Sequence, residues 1–127
     1  IVLSKAFPSQ GYVERMINTG DIQFIPIELA RGCTFDDCTF ILDEAQNLNW
    51  HELNTIVTRI GMNAKMIILG DLNQIDIPLH ASATGLSKLI NSKIFQSSTI
   101  SSSIDLLTQY RSPITALMAE INESFSR

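Results

Sequence analysis

Apolar residues along the chain come in short runs divided by polar, turn-forming stretches. Three runs are nearly continuous, "IVL" at the start, "FIL" from Phe40 and "MIIL" from Met66, and they predict buried strands over residues 1–3, 38–43 and 65–71. "IQFIPIEL" alternates before it fills in, and Pro26 inside it restricts it to an edge strand or an extended loop. Elsewhere the spacing is helical. Residues 12–17 predict a short helix stopped near Asn18 and Gly20. Leu53, Ile56, Val57 and Ile60 line one face of a helix that Asn49 caps, with Glu52 three residues on as in a capping box, and that Gly61 ends. A short helix is predicted over 84–90 and a weak strand over 95–100. In the last helix Ser112 is the cap, Pro113 the first residue, and Ile114, Leu117, Met118 and Ile121 share a face. Strands alternating with helices predict an α/β fold built on a parallel sheet covered by helices.

Composition narrows this picture. The 127 residues match one ordinary domain, and at 45% hydrophobic they can bury a core. No apolar run reaches the roughly 18 residues of a membrane span, and no cleavable leader is visible, so a cytoplasmic location and no membrane partner are expected. A net charge of −4 argues against a generic basic coat for nucleic acid while leaving room for a local basic groove. Cys33 and Cys38 are spaced poorly for zinc, and His51 falls in a predicted helix far from His80, so the cysteines read as thiols of a reducing compartment. The chain opens within a strand-like run and without Met, and it reads as a piece of something longer.

Chemistry concentrates at two predicted strand ends. "FILDE" ends in Asp43 and Glu44, and "IILGD" ends in Asp71. If both strands run the same way, the three acids share the carboxyl edge, where open parallel sheets carry their sites. Amides follow each end, Gln46 and Asn47 after the first and Asn73 and Gln74 after the second. Such a cluster suits a cation with an attached water. Magnesium takes one or two carboxylates and keeps several waters, a role for Asp43, whereas Glu44 is placed to orient or deprotonate an attacking water. Gln74, with a donor and an acceptor, could read a phosphate oxygen and the water together. Acids also end strands simply because loops are wet, but two such ends, each followed by amides, favour a site.

"FILDEAQN" resembles the Walker B segment of PhoH-like P-loop ATPases, a family similar in its core to superfamily-one helicases. "TRIGMNAKMIILGDLNQIDIP" resembles the family's next block, and "GYVERMINTGDIQFIPIELARGCTFDD" the segment before Walker B, so the likeness covers most of residues 11–79. It implies a three-layer parallel sheet of the P-loop NTPase (RecA-like) type within a single core domain over residues 1–127. It implies an ATPase using ATP and magnesium, with Asp43 on the metal, Glu44 as catalytic base and Gln74 sensing the terminal phosphate. Gln46 and Asp71 join Asp43 and Gln74 as candidate nucleotide-binding residues. Arg111 in "QYRSP" is similar to the superfamily-one arginine that reaches the γ-phosphate. Likeness to helicases implies RNA or single-stranded DNA as partner, with Lys5 a candidate phosphate contact, and the family suggests a homo-oligomer. The loop G-x-x-x-x-G-K-[ST] does not occur in the 127 residues, and the resemblance would put it on the N-terminal side of Ile1, leaving the sheet incomplete there. Two other readings stay open, a non-catalytic interaction remnant that binds no nucleotide and a magnesium-dependent nuclease built on Asp43, Glu44 and Asp71. Trp50 is read as packing on the sheet rather than stacking on a base.

Overall fold

The computed structural model describes Phe7, residues 9–74, 83–108 and 112–125. The predicted strand over 1–3 and the candidates Lys5 and Arg111, with Asp76 and His80, lie outside the described residues. The chain divides into two compact units, Ile1–Asn91 and Ser92–Arg127.

In the first unit, helix α1 spans Gln10–Thr19. The Ser9 side chain caps it by accepting the Tyr12 N–H, and Gly20, at φ 82°, closes it in the left-handed conformation that glycine adopts without steric cost. The stretch around Pro26 is not an edge strand. It runs as coil to Pro26 and then turns into the one-turn helix α2, Ile27–Ala30, because proline fixes the φ of a residue entering a helix and needs no N–H there. Strand β1, Thr39–Leu42, pairs in parallel with β2, Lys65–Ile68, in a register that sets Leu42 beside Ile68. Parallel strands need a long connection, and helix α3, Trp50–Val57, supplies it. Its N-terminus carries the full capping box: Asn49 Oδ1 accepts the Glu52 N–H and Glu52 Oε2 accepts the Asn49 N–H, both at 3.0 Å. Helix α4, Gly85–Ile90, starts from a Thr84 cap whose side chain accepts the Ser87 N–H.

The described residues hold a small two-stranded parallel sheet with helices, an α/β arrangement. One face is covered: Leu42, Ala45, Leu53, Ile56 and Leu86 form the buried core, flanked by Phe40, Met66 and Ile68. Period-two alternation turns the neighbours to the other face, where Ile41 is 58% exposed and Ile67 38%. The apolar runs predict covering on both faces, and among the described residues one face is covered.

In the second unit the stretch expected as a strand over 95–100 is instead helix α5, Lys93–Ser97. The Ser92 side chain accepts the Phe95 N–H and so starts a helical turn, a local bond that outweighs the few apolar residues. Helix α6, Pro113–Phe125, follows the predicted pattern, with the Ser112 hydroxyl accepting the Thr115 N–H. Among the described residues no helix is long and apolar enough to cross a membrane.

Two glycines mark close approach. A Cβ on Gly85 would lie 2.7 Å from the Asn49 carbonyl oxygen and 2.9 Å from Leu53 Cβ, and one on Gly70 would lie 2.6 Å from Leu86 Cδ2 and 2.9 Å from Gln46 Oε1. Around Gly11, in α1, there is nothing within 4 Å. Gly70→Ala and Gly85→Ala should each destabilise the protein by about 1–3 kcal/mol. Gly11→Ala should raise stability by up to about 1 kcal/mol, since alanine is the better helix former. Denaturant melts of the three variants check this, and a neutral Gly85→Ala would contradict the packing described.

Candidate functional site at the carboxyl edge of the sheet

Parallel pairing brings the ends of β1 and β2 to one edge. Beyond the strands the ladder continues: the Leu69 N–H donates to the Leu42 carbonyl at 2.8 Å, and the Ala45 N–H to the Leu69 carbonyl at 2.9 Å. Asp43 and Glu44 leave β1 here, both exposed. Asp43 Oδ1 accepts the Glu44 N–H at 3.0 Å, and its Oδ2 has no hydrogen bond among the described residues. Glu44 itself sits at φ 55°, ψ 34°, left-handed for a residue with a side chain. That conformation costs roughly 1–2 kcal/mol and ends the strand's alternation abruptly. The chain then makes a single 3-10 turn, Ala45–Asn47, which drives Ala45 and Gln46 inward.

Gln46 is the centre of the edge. It is 1% exposed, and its amide bonds to candidate residues and their turn. Nε2 donates to Glu44 Oε2 at 2.6 Å and to the Gln74 carbonyl at 3.0 Å, while Oε1 accepts the Asp71 N–H at 3.2 Å. Gly70 is what lets this happen, because a side chain there would occupy the space of the Gln46 oxygen. Asp71 in turn organises residues 71–74. Its Oδ1 accepts the Asn73 N–H at 2.9 Å, its Oδ2 accepts Gln74 Nε2 at 2.8 Å, and its carbonyl accepts the Gln74 N–H at 3.0 Å.

Five of the seven candidate residues, Asp43, Glu44, Gln46, Asp71 and Gln74, thus gather at one edge, and Lys5 and Arg111 lie outside the described residues. Gln46 is not a surface group: the structure holds it behind the acids, with both Nε2 hydrogens donated. Its burial was not legible beforehand, although an amide two residues after a strand-end acid, opposite a Gly-Asp pair, is a signal that could have suggested it. Trp50, expected to pack on the sheet, is 43% exposed at the first position of α3. Arg31 pairs with Glu52 at 3.6 Å, both partly exposed, which is worth little. Arg59 Nε is buried without a hydrogen bond among the described residues. A shallow, open depression of about 470 Å³ lined by Asp37, Cys38, Thr39, Asn63, Ala64 and Lys65 lies at the amino ends of the strands. That is the wrong edge for a parallel-sheet site, so the hydrogen-bonded acids locate the candidate site better than the cavity does.

The profile of the family described as PhoH-like protein matches residues 2–123. The chain belongs to the PhoH-like protein family. It is 45% identical over 67 residues to the PhoH-like protein of Bacillus subtilis (strain 168), which is 53% of this chain and 21% of that protein. It is 38% identical over 103 residues to protein PhoH2 of the same organism, 80% of this chain and 23% of that protein. Against protein PhoH of Escherichia coli (strain K12) it is 38% identical over 68 residues, 54% of this chain and 19% of that protein. The PhoH-like chain therefore spans about a fifth of the length of these relatives. No solved structure gives a significant match.

Asp71→Ala should loosen the turn at residues 71–74 without unfolding the sheet. It removes the acceptor of both the Asn73 N–H and the Gln74 amide. At about 1 kcal/mol per hydrogen bond, the Asn73 amide should exchange with solvent roughly fivefold faster, while the amides of β2 keep their protection. Hydrogen exchange by NMR reads both, and unchanged exchange at Asn73 would show that the carboxylate does not hold the turn.

Proposed function

We propose that this chain is part of an ATP-binding and ATP-hydrolysing PhoH-like protein that couples ATP to RNA or single-stranded DNA. The observation that carries the reading is the single hydrogen-bonded edge in which Gln46 joins Glu44 to the turn at residues 71–74. In this reading the sheet is part of a three-layer P-loop fold, and the open face of Ile41 and Ile67 lies where a further layer would pack. A cytoplasmic location and a homo-oligomer belong to the same proposal.

The donor set fits magnesium. Asp43 offers an exposed carboxylate whose Oδ2 is uncommitted among the described residues, which suits an ion that takes one or two carboxylates and keeps its waters. Once bound, the ion would neutralise charge on the phosphate oxygens. Glu44 then has the proton to manage. Its Oε2 is fixed by Gln46, and its Oε1 has no hydrogen bond among the described residues, so one oxygen is oriented and the other can take a proton from the attacking water. Gln74 parks its amide on Asp71 and would leave it for the terminal phosphate. Arg111 would supply charge to the γ-phosphate as phosphoryl transfer proceeds. The nuclease alternative would need Asp71 on the metal as well, and Asp71 already accepts from Asn73 and Gln74.

In the full-length natural protein, Glu44→Gln should lower kcat for ATP hydrolysis a hundredfold or more while ATP binding survives, since glutamine keeps the shape and cannot accept the proton. Asp43→Asn should shift the magnesium dependence to higher concentration. Phosphate release and labelled-ATP titration measure the two, and turnover retained in Glu44→Gln rules out its role as base.

Gln74→Ala and Arg111→Ala should act on turnover more than on nucleotide affinity, because both groups meet charge that develops during the reaction. Arg111→Ala should cost about a hundredfold or more in kcat. A loss below threefold with ATP affinity unchanged overturns the role of Arg111 at the γ-phosphate. Stimulation of hydrolysis by single-stranded RNA or DNA tests the coupling.

A further inference from the structure

We infer that Gln46 is a positioning residue, one buried amide that holds the Glu44 carboxylate and ties its placement to the turn at residues 71–74. The inference rests on the reading of Glu44 as base and Gln74 as phosphate sensor, and it adds a residue that touches neither ATP nor water.

The argument starts from the amide's valences. A primary amide has two N–H donors and a carbonyl oxygen. In Gln46 one donor goes to Glu44 Oε2 and the other to the Gln74 backbone carbonyl, while the oxygen takes the Asp71 N–H. At 1% exposure there is no water at hand to replace any of these partners, and a buried unmade bond costs about 1–3 kcal/mol. The side chain is therefore locked, and with it one oxygen of Glu44. The bond to Glu44 is short, 2.6 Å, as charge-assisted bonds are. It also helps hold Glu44 in its left-handed conformation.

The same NH2 group reaches the sensor. Gln74 Nε2 rests on Asp71 Oδ2, and the Gln74 carbonyl rests on Gln46. When the Gln74 side chain leaves Asp71 for a phosphate, the turn is freed to shift, and its carbonyl and the Asp71 N–H both pull on the amide that orients Glu44. A base set through one amide by the loop that reads the phosphate is aligned when that loop is engaged. Nothing of this requires Gln46 to bind nucleotide, so its loss should appear in kcat and leave KM for ATP alone.

The test uses the full-length natural protein and three variants. Gln46→Met keeps length and volume and removes every hydrogen bond of the amide. Gln46→Glu keeps the shape and an acceptor for the Asp71 N–H but, ionised, cannot donate to Glu44 or to the Gln74 carbonyl. Glu44→Gln is the control for the underlying reading. The expected result is a fivefold or greater fall in kcat in both Gln46 variants, with KM for ATP changed less than fivefold. If the methionine variant does not fold, the isosteric glutamate variant decides. A kcat loss below fivefold, or a KM raised fivefold or more, overturns the inference, the second outcome marking Gln46 as a binding residue. A Glu44→Gln variant that turns over at the wild-type rate, or a wild type without turnover, overturns the reading beneath it instead.

Discussion

Pairing of Leu42 with Ile68 in a parallel register is the constraint on which the rest of the site depends. Because the two strands run the same way, both chains leave the sheet at one edge, and an antiparallel pair would send Asp43 and Asp71 to opposite ends. The pairing also fixes which side chains face the core. A slip of one residue would exchange Leu42 and Ile68 for their outward-facing neighbours and take the apolar side of the sheet away from Leu53, Ile56 and Leu86. The Leu69–Leu42 and Ala45–Leu69 bonds carry the register past the strands, so the bend at Glu44 starts from a fixed point.

A buried amide at such a place is a liability unless its bonds are made, since moving one into an apolar setting without partners costs several kcal/mol. Three hydrogen bonds satisfy Gln46, and they need Gly70 to be without a side chain. The fold and the site are therefore the same set of contacts here. Leu86, from α4, closes over Gly70 at the distance where a methyl group would collide, and α4 is itself held to the start of α3 by the Gly85 N–H donating to the Leu48 carbonyl at 2.7 Å. Packing of two short helices thus sets the space in which the glutamine joins the two strand ends.

Features that depend on neighbours in sequence were legible. Asn49 and Glu52 make the predicted capping box, Ser112 caps the helix assigned to it, and Gly20 ends α1. The parallel pair was legible too, because a near-continuous apolar run ending in an acid recurs with a helix between. The weak strand over 95–100 failed for a local reason: Phe95 and Ile100 fit either period, and the Ser92 cap decided for a helix. Pro26 left an edge strand or an extended loop open; the loop is what forms up to Pro26, and the proline then begins a helical turn. Gln46 could be named as a candidate but not placed. Two of its partners lie 25 and 28 residues away, so only the fold reveals that it is buried rather than exposed.

Two adjacent carboxylates at the end of an apolar strand repel each other, and the geometry shows how the chain tolerates them. Continued extension would point them to opposite faces. The left-handed step at Glu44 changes this, placing a donor against each: the Glu44 N–H on Asp43 and the Gln46 amide on Glu44. Each acid keeps one oxygen without a hydrogen bond among the described residues, and both stay exposed, where water screens their mutual repulsion. Strain of this kind persists only when its surroundings over-determine it. Here the surroundings are a ladder on one side and a locked amide on the other. The same two contacts that hold the strained residue give the two acids different surroundings, with Asp43 bonded to a backbone N–H and Glu44 to a buried amide, so the bend that ends the strand is also what sets the two carboxylates apart.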